Sequence, residues 1–253
     1  MEKQETRDEL IIGRNPVMEA LKTGRSIDAL FVSKGEKQGS IGKILAMARS
    51  SGIPVKEVDG KKLDYMCGNA HHQGVIARVA AHSYASVQDI FDRAAEKDEP
   101  PFIIVCDEIE DPHNLGAIIR SAACAGAHGV IIPKRRSAEL TYTVAKTAAG
   151  ALEYMPVARV TNLAKTLDEL KERGVWVYGT DMEGQTWCGP ALKGPVALVI
   201  GTEGKGMGRL VQEKCDFVLS LPLRGEINSL NASVAAGIMM FEVARQRLGL
   251  ESV

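Results

Sequence analysis

Ala197-Leu198-Val199-Ile200-Gly201-Thr202-Glu203-Gly204-Lys205-Gly206-Met207-Gly208 (197–208) is an apolar run that breaks straight into a glycine-rich turn. Four apolar residues without polar alternation suit a strand covered on both faces, the habit of parallel sheets. The turn is not a phosphate loop, which needs Gly-Lys followed by Ser or Thr. Its glycines also lack the Gly-x-Gly-x-x-Gly spacing of dinucleotide loops. Ligands of open parallel sheets lie beyond the carboxyl ends of the strands, so Glu203 marks a candidate site there.

Similar runs recur at Phe102–Cys106, Val130–Ile132, Val175–Tyr178 and Phe217–Leu219. Between them the spacing predicts helices at 115–126, 139–150, 162–173 and 206–214. A last helix is expected at about 230–248, where Leu230, Val234, Ile238, Phe241, Ala244 and Leu248 form one apolar stripe at helical period. Alternation of this kind is that of a doubly wound α/β domain. Ahead of it, residues 1–82 read as a small α/β module. It has a helix from Pro16 to Lys22 capped by Asn15, a strand at Ile27–Ser33, a helix at Ile41–Ser51, and strands at Val55–Val58 and Val75–Val79. Residues 83–101 read as a linker, with a helix at Val87–Glu96 ending in Glu96-Lys97-Asp98-Glu99-Pro100-Pro101. The expected division is 1–82, 83–101 and 102–253.

The 45% hydrophobic and 25% charged content is that of an ordinary soluble globular protein. No apolar run has the length of a membrane span, and the charged N-terminus lacks a signal peptide's apolar core. The five cysteines are scattered without a Cys-x-x-Cys pair, so neither a zinc site nor a disulfide framework is expected. These features imply a cytoplasmic protein without membrane or metal. Residues 1–83 hold 13 Lys/Arg against 10 Asp/Glu, and the remainder 18 against 22. The front part is therefore the more suited to a polyanion.

Three further loops leave expected strand ends. In the first, Asn114 is placed to cap the next helix, and Arg120 sits early in that helix, where the dipole favours an acid. A cation there suits an anionic substrate. The second is Gly179-Thr180-Asp181. In the third, Asn228-Ser229-Leu230-Asn231-Ala232-Ser233, the small polar side chains exceed what one cap requires. Lys134-Arg135-Arg136, after Pro133, suits RNA contact, and Arg14, Lys22, Arg25 and Lys34 are candidate phosphate contacts. His71 and His72 lack a third ligand at useful spacing and read as structural or RNA-facing.

Together these residues resemble the SpoU/TrmH group of the SPOUT superfamily, S-adenosylmethionine-dependent RNA ribose 2′-O-methyltransferases. The resemblance is carried by Asn114–Ala122, by Val199–Gly204, and by Leu221-Pro222 with Ser229–Ser233. These motifs fall in the family's order and span residues 102–248. Ile12–Val17 and His72–Val75 are similar to the small substrate-binding domain of the family's 23S rRNA guanosine methyltransferases. The resemblance implies a SPOUT-type parallel sheet with a C-terminal trefoil knot. It implies catalytic roles for Arg120, Asn114, Glu203, Ser229 and Asn231. Thr180, Gly201, Leu221 and Leu230 would hold S-adenosylmethionine. A homodimer is implied, with the final helix at the contact and a guanosine of 23S rRNA as substrate; transfer RNA is the alternative.

Two other readings are weaker. A nicotinamide-dependent oxidoreductase would need Gly-x-Gly-x-x-Gly after the first strand, where Asp107-Glu108-Ile109-Glu110-Asp111 would instead repel a pyrophosphate. A non-catalytic RNA-binding protein would have no use for Arg120, Glu203 and Asn231 together. Cys106 as a nucleophile for base methylation lacks a matching motif.

Overall fold

The computed structural model describes residues 10–35, 39–68, 70–79, 83–226 and 229–250. The chain divides into two compact units, Met1–Ser83 and Tyr84–Val253.

In the first unit, β1 (Leu10–Ile12), β2 (Ile27–Ser33), β3 (Val55–Val58) and β4 (Val75–Val79) form a sheet in the order β1-β4-β2-β3. β4 runs antiparallel to both neighbours, and β2 and β3 are parallel. α1 (Arg14–Lys22) and α2 (Ser40–Ser50) cover one face, packing Val17, Ile41 and Ile44 on Leu30 and Val32. α3 (Gly60–Cys67) sets Leu63 and Cys67 against Ala29, Phe31 and Ile76 on the other face. α1 begins earlier than its sequence suggests, and its cap is Gly13, not Asn15. Gly13 has φ 96, which a residue with a β-carbon resists, and this turns the chain sharply out of β1. Pro16 still falls in the first turn, where its missing N–H costs nothing.

The second unit holds a six-stranded sheet in the order β10-β8-β9-β5-β6-β7, every pair parallel. Its strands are β5 (Phe102–Cys106), β6 (Gly129–Pro133), β7 (Val157–Val160), β8 (Trp176–Thr186), β9 (Val196–Ile200) and β10 (Phe217–Ser220). β5 is buried throughout because its alternating side chains enter two cores. Phe102, Ile104 and Cys106 join one core, and Ile103 and Val105 the other. α5 (Pro112–Cys124), α6 (Tyr142–Ala148) and α9 (Ala232–Arg247) supply the first core. α4 (Val87–Glu96), α7 (Leu163–Glu172) and the short α8 (Arg209–Gln212) supply the second.

The segment expected to be a linker carries α4. A capping box between Ser86 and Asp89 starts the helix, and Ile90 is fully buried over Gly129. A Cβ on Gly129 would come within 2.4 Å of Ile90, so the glycine permits that close packing. The helix expected at 206–214 forms only over Arg209–Gln212, because Gly206 and Gly208 belong to the preceding turn. Gly179-Thr180-Asp181 is not a loop after a strand but lies inside β8. β8 pairs with β9 up to Gly179 and continues to Thr186 alongside β10.

Chain order reverses between β5 and β9, which are neighbours although β6, β7 and β8 intervene in sequence. Their carboxyl ends therefore open a crevice at a topological switch point. The Asp107 carboxylate, following β5, accepts the Gly208 N–H at 2.7 Å and ties the two loops together.

Candidate active site

Three elements present polar side chains at this crevice. α5 is capped by Asp111, whose carboxylate accepts the His113 N–H, with Pro112 in the first helical position. The cap is thus Asp111 rather than Asn114, and the Asn114 amide is left for another role. α9 is capped by Asn231, whose Oδ1 accepts from the Ser233 and Val234 backbone. Between these helix starts lies the turn after β9. There Thr202 and Gly206 exchange backbone hydrogen bonds at 2.9 and 3.0 Å. Gly201 has no room for a Cβ, which would lie 2.3 Å from the Gly206 carbonyl carbon.

The three side chains meet on one oxygen. Glu203 Oε1 accepts from Asn231 Nδ2 at 2.6 Å, from Asn114 Nδ2 at 3.1 Å and from the Ala232 N–H at 3.2 Å. Asn231 Nδ2 also donates to Asn114 Oδ1 at 2.9 Å. Each amide is held by at least two partners, so the network fixes their orientations. Among the described residues nothing donates to Glu203 Oε2, which remains available as an acceptor.

Beside the network is a cavity of about 500 Å³. Thr180, Gly201, Leu221 and Leu230 all line it, together with Glu203 and Ser229. The Thr180 hydroxyl donates to the Val199 carbonyl, so this side chain braces β8 against β9. Asp181, not singled out from sequence, adds a second carboxylate to the lining. Its signal was adjacency to Thr180 in the quoted tripeptide, but β8 had to extend past Tyr178 to bring it there.

The other expected residues lie outside the network. Ser229 is in the cavity wall but outside the network; Asn228, quoted with it, lies outside the described residues. Arg120 is exposed, some six positions beyond Asn114 and so about 120° away around the helix. It neither lines the cavity nor bonds to the network among the described residues. Cys106 is fully buried, and burial pushes its thiol up to about 12, leaving it protonated and unsuited to attack. In the first unit Lys22 pairs with Glu19 and Lys34 with Asp59. Arg136 pairs with Glu108. No group of three or more metal-ligating side chains comes together among the described residues, and none of their helices is long and apolar enough to cross a membrane.

The fold and site define an α/β protein with a parallel sheet, a ligand-sized cavity beyond β8, β9 and β10, and an amide–carboxylate network beside it in place of a dinucleotide loop. Residues 101–241 match the SpoU rRNA methylase family, and residues 10–85 match the RNA 2′-O ribose methyltransferase substrate-binding domain. The chain belongs to the SpoU family of RNA ribose 2′-O-methyltransferases. It is 52% identical over 238 residues to a putative TrmH family tRNA/rRNA methyltransferase of Bacillus subtilis, covering 94% of this chain and 95% of that protein. A putative TrmH family relative from Staphylococcus aureus is 48% identical, with 95% and 97% covered. Among solved structures, the SpoU methyltransferase AviRb from Streptomyces viridochromogenes, in complex with the cofactor AdoMet, superposes with TM-score 0.61. It shares 25% identity, with 97% of this chain and 94% of that one covered. An AdoMet-bound rRNA methyltransferase from Sinorhizobium meliloti gives TM-score 0.58 at 25% identity, with 100% and 92% covered.

Proposed function

We propose that this chain transfers a methyl group from S-adenosylmethionine to the ribose 2′-hydroxyl of a guanosine in 23S rRNA, acting as a cytoplasmic homodimer. The observation that carries the site assignment is the convergence of Asn114, Glu203 and Asn231 beside the cavity. The cavity suits the cofactor. Ile200, Leu219, Leu221 and Met239 offer apolar walls for an adenine, while Asp181 and Glu203 offer acceptors for ribose hydroxyls, an amine and a positively charged sulfur. Backbone groups of Gly201, Leu221 and Leu230 fit the same role, since two of those side chains are merely apolar. When bound, the cofactor supplies an electrophilic methyl group. The knotted path implied by the resemblance belongs to this reading, with the chain returning from edge strand β10 through 221–231 to α9 beside β9.

A ribose hydroxyl is a poor nucleophile until its proton is drawn away, so orientation and proton transfer are the residues' tasks. Glu203 Oε2 and the fixed amides of Asn114 and Asn231 orient the ribose, and Ser229 stands at the cavity wall. Arg120 is no base, because a guanidinium stays protonated. Its role is to grip the neighbouring phosphate through paired hydrogen bonds and so acidify the hydroxyl. The proton leaves to that phosphate or to water.

Arg120 is exposed on α5, which packs against α9. α9 turns Val234, Ile238 and Phe241 to solvent, and Val234 and Phe241 are 50% and 52% exposed. An apolar stripe of this kind suits a second copy of the chain. Arg120 then serves the site of the other subunit.

Mapping ribose methylation in cells lacking the protein tests the substrate. Loss of one 2′-O-methylguanosine from 23S rRNA is expected; loss confined to transfer RNA would replace that part of the reading.

A further inference from the structure

Two N-terminal motifs, Ile12–Val17 and His72–Val75, come together in the first unit through Arg14 and Gln73, 59 positions apart. They border a polar hollow of about 750 Å³, lined among others by Arg14, Asn15, Asp64, His71, His72 and Gln73. Part of this lining is a fixed frame. Arg14 Nε donates to the Gln73 carbonyl at 2.8 Å, and the Arg14 N–H donates to Gln73 Oε1 at 3.0 Å. His72 Nδ1 accepts the Gly74 N–H at 2.9 Å, so its ring proton sits on Nε2, 3.1 Å from Asp64 Oδ1. The frame holds Gln73 at φ +52, a backbone conformation that side chains seldom adopt.

The rest of the lining is open. Nothing donates to Asp64 Oδ2 among the described residues, and the side chains of exposed Asn15 and His71 have no partner there. Asp64 Oδ1 also keeps a second lone pair beyond its bond to His72. A carboxylate in the lining disfavours a free phosphate as sole occupant. A carboxylate with a guanidinium and two spare polar side chains instead matches a nucleobase edge and its phosphate. Guanine alone of the four RNA bases presents two adjacent donors, N1–H and N2–H, to a carboxylate. Adenine and cytosine set an acceptor beside their amino group, and uracil flanks its single donor with carbonyls. Unpaired bases are the ones whose edges are open to such contact.

We propose that this hollow binds one unpaired guanosine nucleotide of the RNA, with Asp64 on the base edge and Arg14, Asn15 and His71 on the phosphate and remaining edge. It rests on the RNA reading above and adds a recognition contact distinct from the nucleotide that is methylated.

The test uses the full chain and two labelled single-stranded hexanucleotides, all-adenosine and the same with one guanosine, followed by fluorescence anisotropy. The wild-type protein is expected to prefer the guanosine hexamer by about tenfold, the scale of one well-formed paired contact to a base. Asp64→Asn should reduce that preference to about twofold or less. The double variant Asn15→Ala/His71→Ala, at exposed positions, should weaken both hexamers and raise the KM for RNA. An unchanged far-UV circular dichroism spectrum and thermal transition show that each variant is folded. An undiminished guanosine preference in Asp64→Asn overturns the proposal, as does equal binding of the two hexamers by the wild type. A wild-type protein that methylates no RNA would instead overturn the functional reading, so the two failures are told apart.

Discussion

Glu203 receives three N–H groups on one carboxylate oxygen and none from the described residues on the other. Glu203→Gln keeps an acceptor for the two amides but replaces the open acceptor Oε2 with an NH2 donor. We expect kcat to fall about a hundredfold or more while the fold persists; near-wild-type turnover would remove Glu203 from the mechanism. Gly116, in the first motif, lies where α5 crosses α6. A Cβ there would sit 2.6 Å from Thr147 Cβ and 2.8 Å from the Val144 carbonyl oxygen. Gly116→Ala should cost about 2 kcal/mol by overpacking, read as a lower urea midpoint. Asp107 gives a pH dependence. Burial raises its carboxyl above the usual range, only partly countered by the Gly208 N–H. A raised folded-state pKa means that this group's contribution to stability is present at low pH and lost as pH rises through that value. Asp107→Asn keeps an acceptor for Gly208 without the charge. It should flatten this pH dependence and be no less stable at pH 7; a clear drop in melting temperature would show that the ionised carboxylate itself holds the loop.

α9 is the element on which the proposed self-association rests. Its stripe of Val234, Ile238 and Phe241 was legible as a helical repeat, although the helix starts at Ala232 and leaves Leu230 before it. The repeat does not say which side faces inward. The opposite side, Ala232, Ala236, Met239, Met240 and Val243, is also apolar and is the one that enters the core. Phe241→Glu is therefore expected to spare the fold and shift the protein toward monomer in size-exclusion chromatography with light scattering. An unchanged mass would place the subunit contact elsewhere. β5, β6 and β9 were readable because they are buried on both faces and so carry unbroken apolar runs. β1 has only three residues, and Arg159 interrupts the apolar run of β7. The extension of β8 beyond Tyr178 was hidden because Gly179 and Asp181 are poor strand formers. Its pairing with β10 comes from distant sequence. The individual members of the Asn114–Glu203–Asn231 network could be named from sequence, because amides and acids at strand ends are unusual. Their contacts span 89, 28 and 117 positions and exist only once the sheet order is known.

At the scale of the whole molecule, the two units divide the work between RNA recognition and methyl transfer. A chain lacking residues 1–82 should keep S-adenosylmethionine binding and self-association but lose discrimination in a competition between RNAs; unchanged selectivity would refute the recognition role. The proposal that Arg120 serves the other subunit's site has its own consequence. Arg120→Ala and Asn231→Ala proteins, each inactive, should regain activity when mixed and allowed to exchange subunits, and failure to do so would put Arg120 in its own chain's site. The central claim is that the Asn114–Glu203–Asn231 network directs methyl transfer to a ribose 2′-hydroxyl. Its most direct test is incubation of RNA with methyl-labelled S-adenosylmethionine, digestion to nucleosides and mass analysis. The account predicts label in a 2′-O-methylnucleoside with the wild-type protein and nearly none with Asn231→Ala; label on a base, or equal ribose labelling by the variant, would contradict it.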